Sequence, residues 1–146
     1  MNILVNHQAP VLAKYSITIK APISSIWKIL TAINNWPHWQ SDVKKAHLKG
    51  NLAENTEFVW KAGGINFKSK IHTVKLNEEF GWTGTTLGAS AIHNWKFSEN
   101  NGKTLLTVEE SLQGFFPSIF KKYFQKNLTE GIKKNLNELK IEVEKQ

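Results

Sequence analysis

The stretch PSIFKKYFQKNLTEGIKKNLNELKIEVE, Pro117 to Glu144, decides the fold. Its apolar positions Phe120, Phe124, Leu128, Ile132, Leu136, Leu139 and Val143 recur at spacings of three or four, which places them on one helical face. At about 1.5 Å per residue such a helix is about 40 Å long, enough to cross a small domain. Its single apolar face needs an opposing surface, and the residues before it supply short strands separated by tight turns. A sheet that curves around one helix leaves a hollow. The pattern therefore predicts an α+β protein with a cavity between a curved antiparallel sheet and its C-terminal helix.

Outward from that helix, the alternation of Ala13, Tyr15, Ile17 and Ile19 with Lys14, Ser16, Thr18 and Lys20 marks a half-buried first strand. Pro22 opens a short helix that Ser24 or Ser25 can cap, with Ile26, Trp27, Ile29, Leu30 and Ile33 on its apolar side. Asn34 and Asn35 break it, and Trp36-Pro37-His38-Trp39 suggests a second short helical segment. Strands are then expected over Val43–Leu48, Thr56–Ala62, Ile65–Leu76, Phe80–Thr86, Ala89–Ser98 and Thr104–Leu112, about seven in all with the first. The chain reads as one domain over 1–146, with 1–10 a loosely attached leading segment. No repeat, low-complexity run or linker marks a second domain.

The turns fix a register. Asn101-Gly102 is a strong two-residue hairpin signal, because both positions tolerate positive φ. It sets Phe97 opposite Leu106, Trp95 opposite Val108 and His93 opposite Glu110. Gly63-Gly64 pairs Trp60 with Phe67, Asn77-Glu78 pairs Trp82 with Thr73, and Leu87-Gly88 pairs Trp82 with His93. The concave face then carries a row of Thr73, Trp82, His93 and Glu110, flanked by Trp60, Phe67 and Trp95. Glu109 faces solvent, and a slip of one residue would exchange it with Glu110.

Composition excludes several function classes. The chain has no cysteine, hence neither disulfides nor thiolate chemistry, and this fits a reducing compartment. The N-terminus lacks the charged and apolar regions of a signal peptide, and no stretch has the length of a membrane-spanning helix, so a cytoplasmic protein is expected. The net charge is +7, carried by nineteen lysines and no arginine. Specific nucleic-acid readout leans on the bidentate guanidinium fork that lysine cannot imitate. Lys122, Lys126, Lys133 and Lys140 share one face of the last helix, either as a solvated face or as a weak contact for anionic membrane or nucleic acid. The five histidines and one aspartate show no metal-ligand spacing, and neither a phosphate loop nor a dinucleotide fingerprint is present. Neither metal nor cofactor is expected.

The run APISSIWKILTAINNWPHWQSDVKKAHL, Ala21 to Leu48, resembles the opening of the START-like SRPBCC superfamily, in particular its polyketide cyclase/dehydrase-type branch. A proline precedes the first short helix, one Trp lies within it, and another follows a short break. His93-Asn94-Trp95-Lys96-Phe97, Val108-Glu109-Glu110-Ser111 and Gly114 resemble that branch's last two strands and the entry to its final helix. The resemblance covers Val11 to Glu144 and implies the helix-grip fold. It further implies a deep, largely apolar pocket for lipids, hormones, polyketides or quinones. Some members cyclise or dehydrate poly-β-keto chains, but the branch shares no catalytic motif that can be matched here. The lack of arginine departs from many relatives and removes an obvious clamp for carboxylate or phosphate.

The candidate ligand-binding residues are Trp60, Phe67, Thr73, Trp82, His93, Trp95, Glu110, Phe116, Phe120, Tyr123 and Phe124. The aromatic ones are core or pocket lining, and both roles are compatible. His93 with Glu110 is either a structural tie between the last strands, a polar anchor for a ligand hydroxyl, or an acid/base pair. Trp36 and Trp39 close one end of the hollow. The leading expectation is a carrier or sensor for a small hydrophobic or amphipathic molecule, as monomer or homodimer. The alternatives are a cyclase or dehydratase using His93 and Glu110, and an interaction module using the lysine face.

Overall fold

Seven antiparallel strands form one sheet in the spatial order β1-β7-β6-β5-β4-β3-β2. In the computed structural model, which describes residues 1–145, these strands are β1 (Val11–Ile19), β2 (Val43–Leu48), β3 (Glu57–Ala62), β4 (Ile65–Lys75), β5 (Glu79–Thr86), β6 (Ala89–Asn100) and β7 (Lys103–Gln113). β2 to β7 are a meander, and β1 closes the far edge by pairing with β7. Between β1 and β2 lie α1 (Ile23–Thr31) and a 3₁₀ helix (Ile33–His38). After β7 come α2 (Phe115–Ile119) and α3 (Lys121–Glu144). This is the helix-grip arrangement, with α3 laid across the concave face.

The Asn101-Gly102 turn adopts the positive φ that its residues permit, and the ladder beyond it sets Trp95 opposite Val108 and His93 opposite Glu110. Trp60 pairs with Phe67 and Trp82 with His93. The Asn77-Glu78 hairpin departs from the expected register. Trp82 faces Ile71, Thr73 faces Gly81, and the ladder shifts between Ile71 and Thr73. His72 is the extra residue of a β-bulge, which turns Thr73 to the convex side and returns Val74 to the core. Gly81 makes room for it: a Cβ there would run into the His72 imidazole and the Asn94 amide.

The expected single helix from Pro117 is divided. Phe120 (φ −109°, ψ 49°) breaks it, leaving Pro117 buried inside the short α2. α2 starts at Gly114 (φ 122°), where a Cβ would meet the Gly88 carbonyl oxygen at 2.7 Å. Along α3 only the C-terminal part of the apolar stripe is buried: Ile132, Leu136, Leu139 and Val143. α1 begins after an extended Pro22 and has no side-chain cap, so neither Ser24 nor Ser25 performs that role. Its break falls at Ala32 rather than at the asparagines, which lie within the 3₁₀ helix. Asn34 Oδ1 there accepts the Leu48 N–H at 2.8 Å and pins β2.

The core is one contiguous cluster in which Trp27, Trp36, Phe58, Phe80, Trp82, Trp95 and Phe97 meet α1 and α3 aliphatics. α3 also guards the exposed edge of β1. Gln125 Nε2 donates to the Leu12 carbonyl (2.8 Å) while its Oε1 accepts the Leu12 N–H (3.3 Å). Lys140 Nζ donates to the Thr18 carbonyl (3.0 Å), and Glu144 accepts the Lys20 N–H (2.9 Å), which lowers the Glu144 pKa. Side chains of one helix thus occupy edge groups that would otherwise recruit another strand.

Residues 1–10, expected to attach loosely, lie along the convex face. Ile3 N–H donates to His72 Nδ1 (3.2 Å), Asn94 Nδ2 donates to the Ile3 carbonyl (2.8 Å), and Asn6 N–H donates to Ser111 Oγ (3.0 Å). Val5 is buried. Among the described residues no helix is long and apolar enough to cross a membrane.

Candidate functional site: a tryptophan-walled cavity

A cavity of about 190 Å³ opens between the concave sheet and the middle of α3. β3 contributes Trp60, β5 Trp82, β6 His93 and Trp95, and β7 Glu110; Leu30 and Trp36 close it from the short helices. Across from them α3 presents Asn127, Leu128, Gly131, Ile132, Asn135 and Glu138, and Gln40, Asp42, Val43 and Ala62 complete the lining. Alternation along β6 and β7 is what puts His93, Trp95 and Glu110 on the same side.

His93 and Glu110 sit directly opposite each other, Nδ1 against Oε1, both side chains nearly buried. A carboxylate only accepts, so opposite it His93 Nδ1 carries the hydrogen; in the neutral tautomer that this selects, Nε2 is an acceptor. The imidazole lies flat on Trp82, with ring centroids 4.3 Å apart and planes 12° from parallel. His93 Nε2 is buried without a hydrogen-bond partner among the described residues, and so is Trp95 Nε1. Both side chains line the cavity, and their rings are 5.2 Å apart. By contrast, Trp36 Nε1 is satisfied by the Leu30 carbonyl at 2.9 Å, and Trp60 Nε1 by Ser69 Oγ at 3.0 Å.

The lining carries three carboxylates, Asp42, Glu110 and Glu138, and no lysine. Glu138 accepts the Ser41 N–H, and Asp42 accepts from Lys134 Nζ at 2.9 Å. That hydrogen bond, with the charge of Asp42, raises the Lys134 pKa. Glu109 is on the convex face, paired with Lys14 at 3.2 Å.

Of the residues singled out from sequence, Trp60, Trp82, His93, Trp95 and Glu110 come together around this cavity. Phe67 stacks on Trp60 (4.8 Å, 28°) but does not border the space. Thr73 belongs to the convex face, where it bonds His72 and Asn2. Phe116, Phe120, Tyr123 and Phe124 lie outside the lining, and Phe120 and Tyr123 are more than half exposed. The middle of α3 takes their place. Gly131 was the readable signal: a glycine inside an amphipathic helix leaves a gap, and a Cβ built there meets nothing within 4 Å. Among the described residues no cluster of three or more His, Asp or Glu is placed to hold a metal ion.

The model of the family described as polyketide cyclase / dehydrase and lipid transport matches residues 10–144. The chain belongs to this family. Solved structures of similar fold include a hypothetical protein of Helicobacter pylori, 12% identical, covering 98% of both chains with a TM-score of 0.85. A START superfamily protein of Mycobacterium smegmatis is 13% identical, with 92% of this chain and 97% of that one covered at a TM-score of 0.80. The di-domain ARO/CYC StfQ of the steffimycin biosynthetic pathway is 12% identical at a TM-score of 0.76. The match to it covers 93% of this chain and 52% of StfQ. At these identities the likeness is one of fold. No curated protein matches the chain. As a family member it carries the polyketide cyclase/dehydrase-type SRPBCC fold, with the cavity where the sheet and last helix face each other.

Proposed function

We propose that the protein binds a small, uncharged, hydroxyl-bearing apolar molecule in this cavity, as a carrier or sensor. The observation that carries the reading is the pair of unpartnered buried atoms, His93 Nε2 and Trp95 Nε1. A buried polar group left unsatisfied costs about 1–3 kcal/mol, so two of them on side chains that line one cavity favour an occupant that, with a small shift of the rings, pairs with both. A ligand hydroxyl does so by accepting from the indole N–H and donating to the imidazole. Size narrows the class: an apolar cavity of about 150 Å³ admits benzene, and this one measures about 190 Å³. One ring with a short chain suits the enclosed part. Charge narrows it further, because three carboxylates and no lysine line the space and oppose an anionic headgroup.

A matched series tests this by calorimetry: propylbenzene, 4-propylphenol and 4-propylbenzoate. The phenol is expected to bind about tenfold more tightly than the hydrocarbon, the equivalent of one net hydrogen bond. The benzoate is expected to bind more weakly than either. Equal affinity for phenol and hydrocarbon would remove the hydroxyl assignment, and no binding by any of the three would remove the binding reading.

A second reading rests on the orientation of the dyad. Glu110 holds His93, a cavity-lining residue, through Nδ1 and leaves Nε2 without a partner among the described residues, the pattern of an imidazole base with a carboxylate orienter. In an aldol cyclisation, Nε2 takes a proton from the carbon between two carbonyls. The enolate carbon adds to a ketone carbon of the same chain as its C=O π pair moves to oxygen, and the imidazolium, its charge offset by Glu110, returns the proton to that alkoxide. Deuterium uptake at the central carbon of a β-diketone, followed by NMR in wild type and His93→Gln, checks this. Equal rates in the two proteins would exclude it.

A further inference from the structure

The aromatic residues around the start of α3 do not meet the cavity, and several of them are left open to solvent. Phe115, Ile119, Phe120 and Tyr123 are each more than half exposed. Leu87, at the β5–β6 turn, is 88% exposed, and this turn adjoins α2 through the Phe116 N–H, which donates to the Gly88 carbonyl at 3.2 Å. Two elements thus present one apolar tip. Isolated exposed apolar residues need no explanation, but a cluster of this size marks a contact surface.

Its charge indicates the partner. From Leu112 to Thr129 the chain carries three lysines, Lys121, Lys122 and Lys126, and no carboxylate. All three are exposed, and none forms an ion pair among the described residues, where the paired lysines are Lys14, Lys75, Lys134, Lys140 and Lys145. They line a shallow groove beside the tip together with Lys133, opposed only by Glu130. Aromatic rings settle at the headgroup level of a bilayer, and lysines next to them are drawn to anionic lipid phosphates. A second copy of the chain fits poorly, since a two-fold contact would bring the lysines of one copy against those of the other with only Glu130 of each to answer them. Nucleic acid would meet the lysines but leave the aliphatic Leu87 and Ile119 without a role.

We propose that the α2–α3 junction, with the Leu87 turn, is a docking surface for an anionic membrane. Phe115, Phe120 and Tyr123 insert among the headgroups, and Lys121, Lys122 and Lys126 sit over lipid phosphates. The proposal is independent of what the cavity holds.

Vesicle flotation tests it, with phosphatidylcholine alone and with phosphatidylcholine containing one-third phosphatidylglycerol. Binding is expected only to the anionic vesicles and to weaken as salt rises. A Lys121→Gln/Lys122→Gln/Lys126→Gln variant is expected to lose roughly a hundredfold in affinity, about fivefold per lysine. Phe115→Ser/Phe120→Ser is expected to abolish flotation with an unchanged melting temperature, because both side chains are exposed. The chain has no cysteine, so a polarity-sensitive dye at Ile119→Cys reads insertion directly. The same dye at Leu76→Cys, 71% exposed in the turn at the opposite end of β5, is the control. A blue shift at 119 and none at 76 supports the proposal. It is overturned by no binding to anionic vesicles, by equal binding to both vesicle types, or by equal shifts at the two positions. Self-association abolished by the Phe variant, or tighter binding to single-stranded RNA than to vesicles, overturns it as well.

Discussion

Gly131 gives the account a prediction whose sign is informative. It lies mid-way along α3 with an ordinary helical φ, it borders the cavity, and a Cβ placed on it meets nothing within 4 Å. Glycine in a helix interior costs about 1 kcal/mol relative to alanine. Gly131→Ala should therefore stabilise the protein by about 1 kcal/mol, a rise in melting temperature of about 3 °C for a chain of this size. Gly131→Leu keeps that gain, since leucine is nearly as good a helix former, and its side chain reaches into space otherwise available to ligand. Displacing the equivalent of two buried methylenes from the ligand costs about 1.6 kcal/mol, or about fifteenfold in affinity. Thermal unfolding and titration with 4-propylphenol read the two effects separately. A destabilised Gly131→Leu, the mark of overpacking at about 1–3 kcal/mol, would show that the space is already filled. Unchanged affinity in a stable Gly131→Leu would show that the ligand binds elsewhere.

Two more predictions concern buried polar groups. Burial lowers the His72 pKa below its unfolded value near 6.5, with the Asn94 hydrogen bond opposing in part. The folded state therefore resists protonation: this contribution is complete above pH 6.5 and is lost as pH falls below it. Denaturant unfolding at about pH 7.5 and about pH 5.5 should show wild type losing more stability than His72→Gln, and parallel losses would contradict the assignment. At the dyad, Glu110→Ala strands His93 Nδ1 and should cost about 2 kcal/mol, whereas Glu110→Gln keeps an acceptor and should cost less than half as much. Equal costs by denaturant titration would mean that the hydrogen bond contributes little.

Much of this architecture is legible in the chain, for definable reasons. Asn101-Gly102 sets a turn by backbone preference alone, so the His93–Glu110 pairing follows from counting. The bulge at His72 was missed although it leaves a trace. Two polar residues, His72 and Thr73, stand between Ile71 and Val74 and interrupt the period of two. Helical spacing locates a stripe on α3 but says nothing about what faces each turn of it. Ile132 to Val143 meets the sheet, and the aromatics before it project beyond. Break points are not announced by local propensity: Phe120 divides the last helix, and α2 before it begins beside Gly114, which packs on the Gly88 backbone. The tether of residues 1–10 depends on Ser111 and Asn94, distant in sequence, and so carries no local signature.

The most direct measurement follows the indole N–H resonances of the six tryptophans during titration with 4-propylphenol. A donor that gains an acceptor moves strongly downfield, so the Trp95 resonance should shift most, while that of Trp36, already bonded to Leu30, stays nearly still. A Trp95 resonance that remains in place while the ligand binds would contradict the account, as would one that moves no more than Trp36.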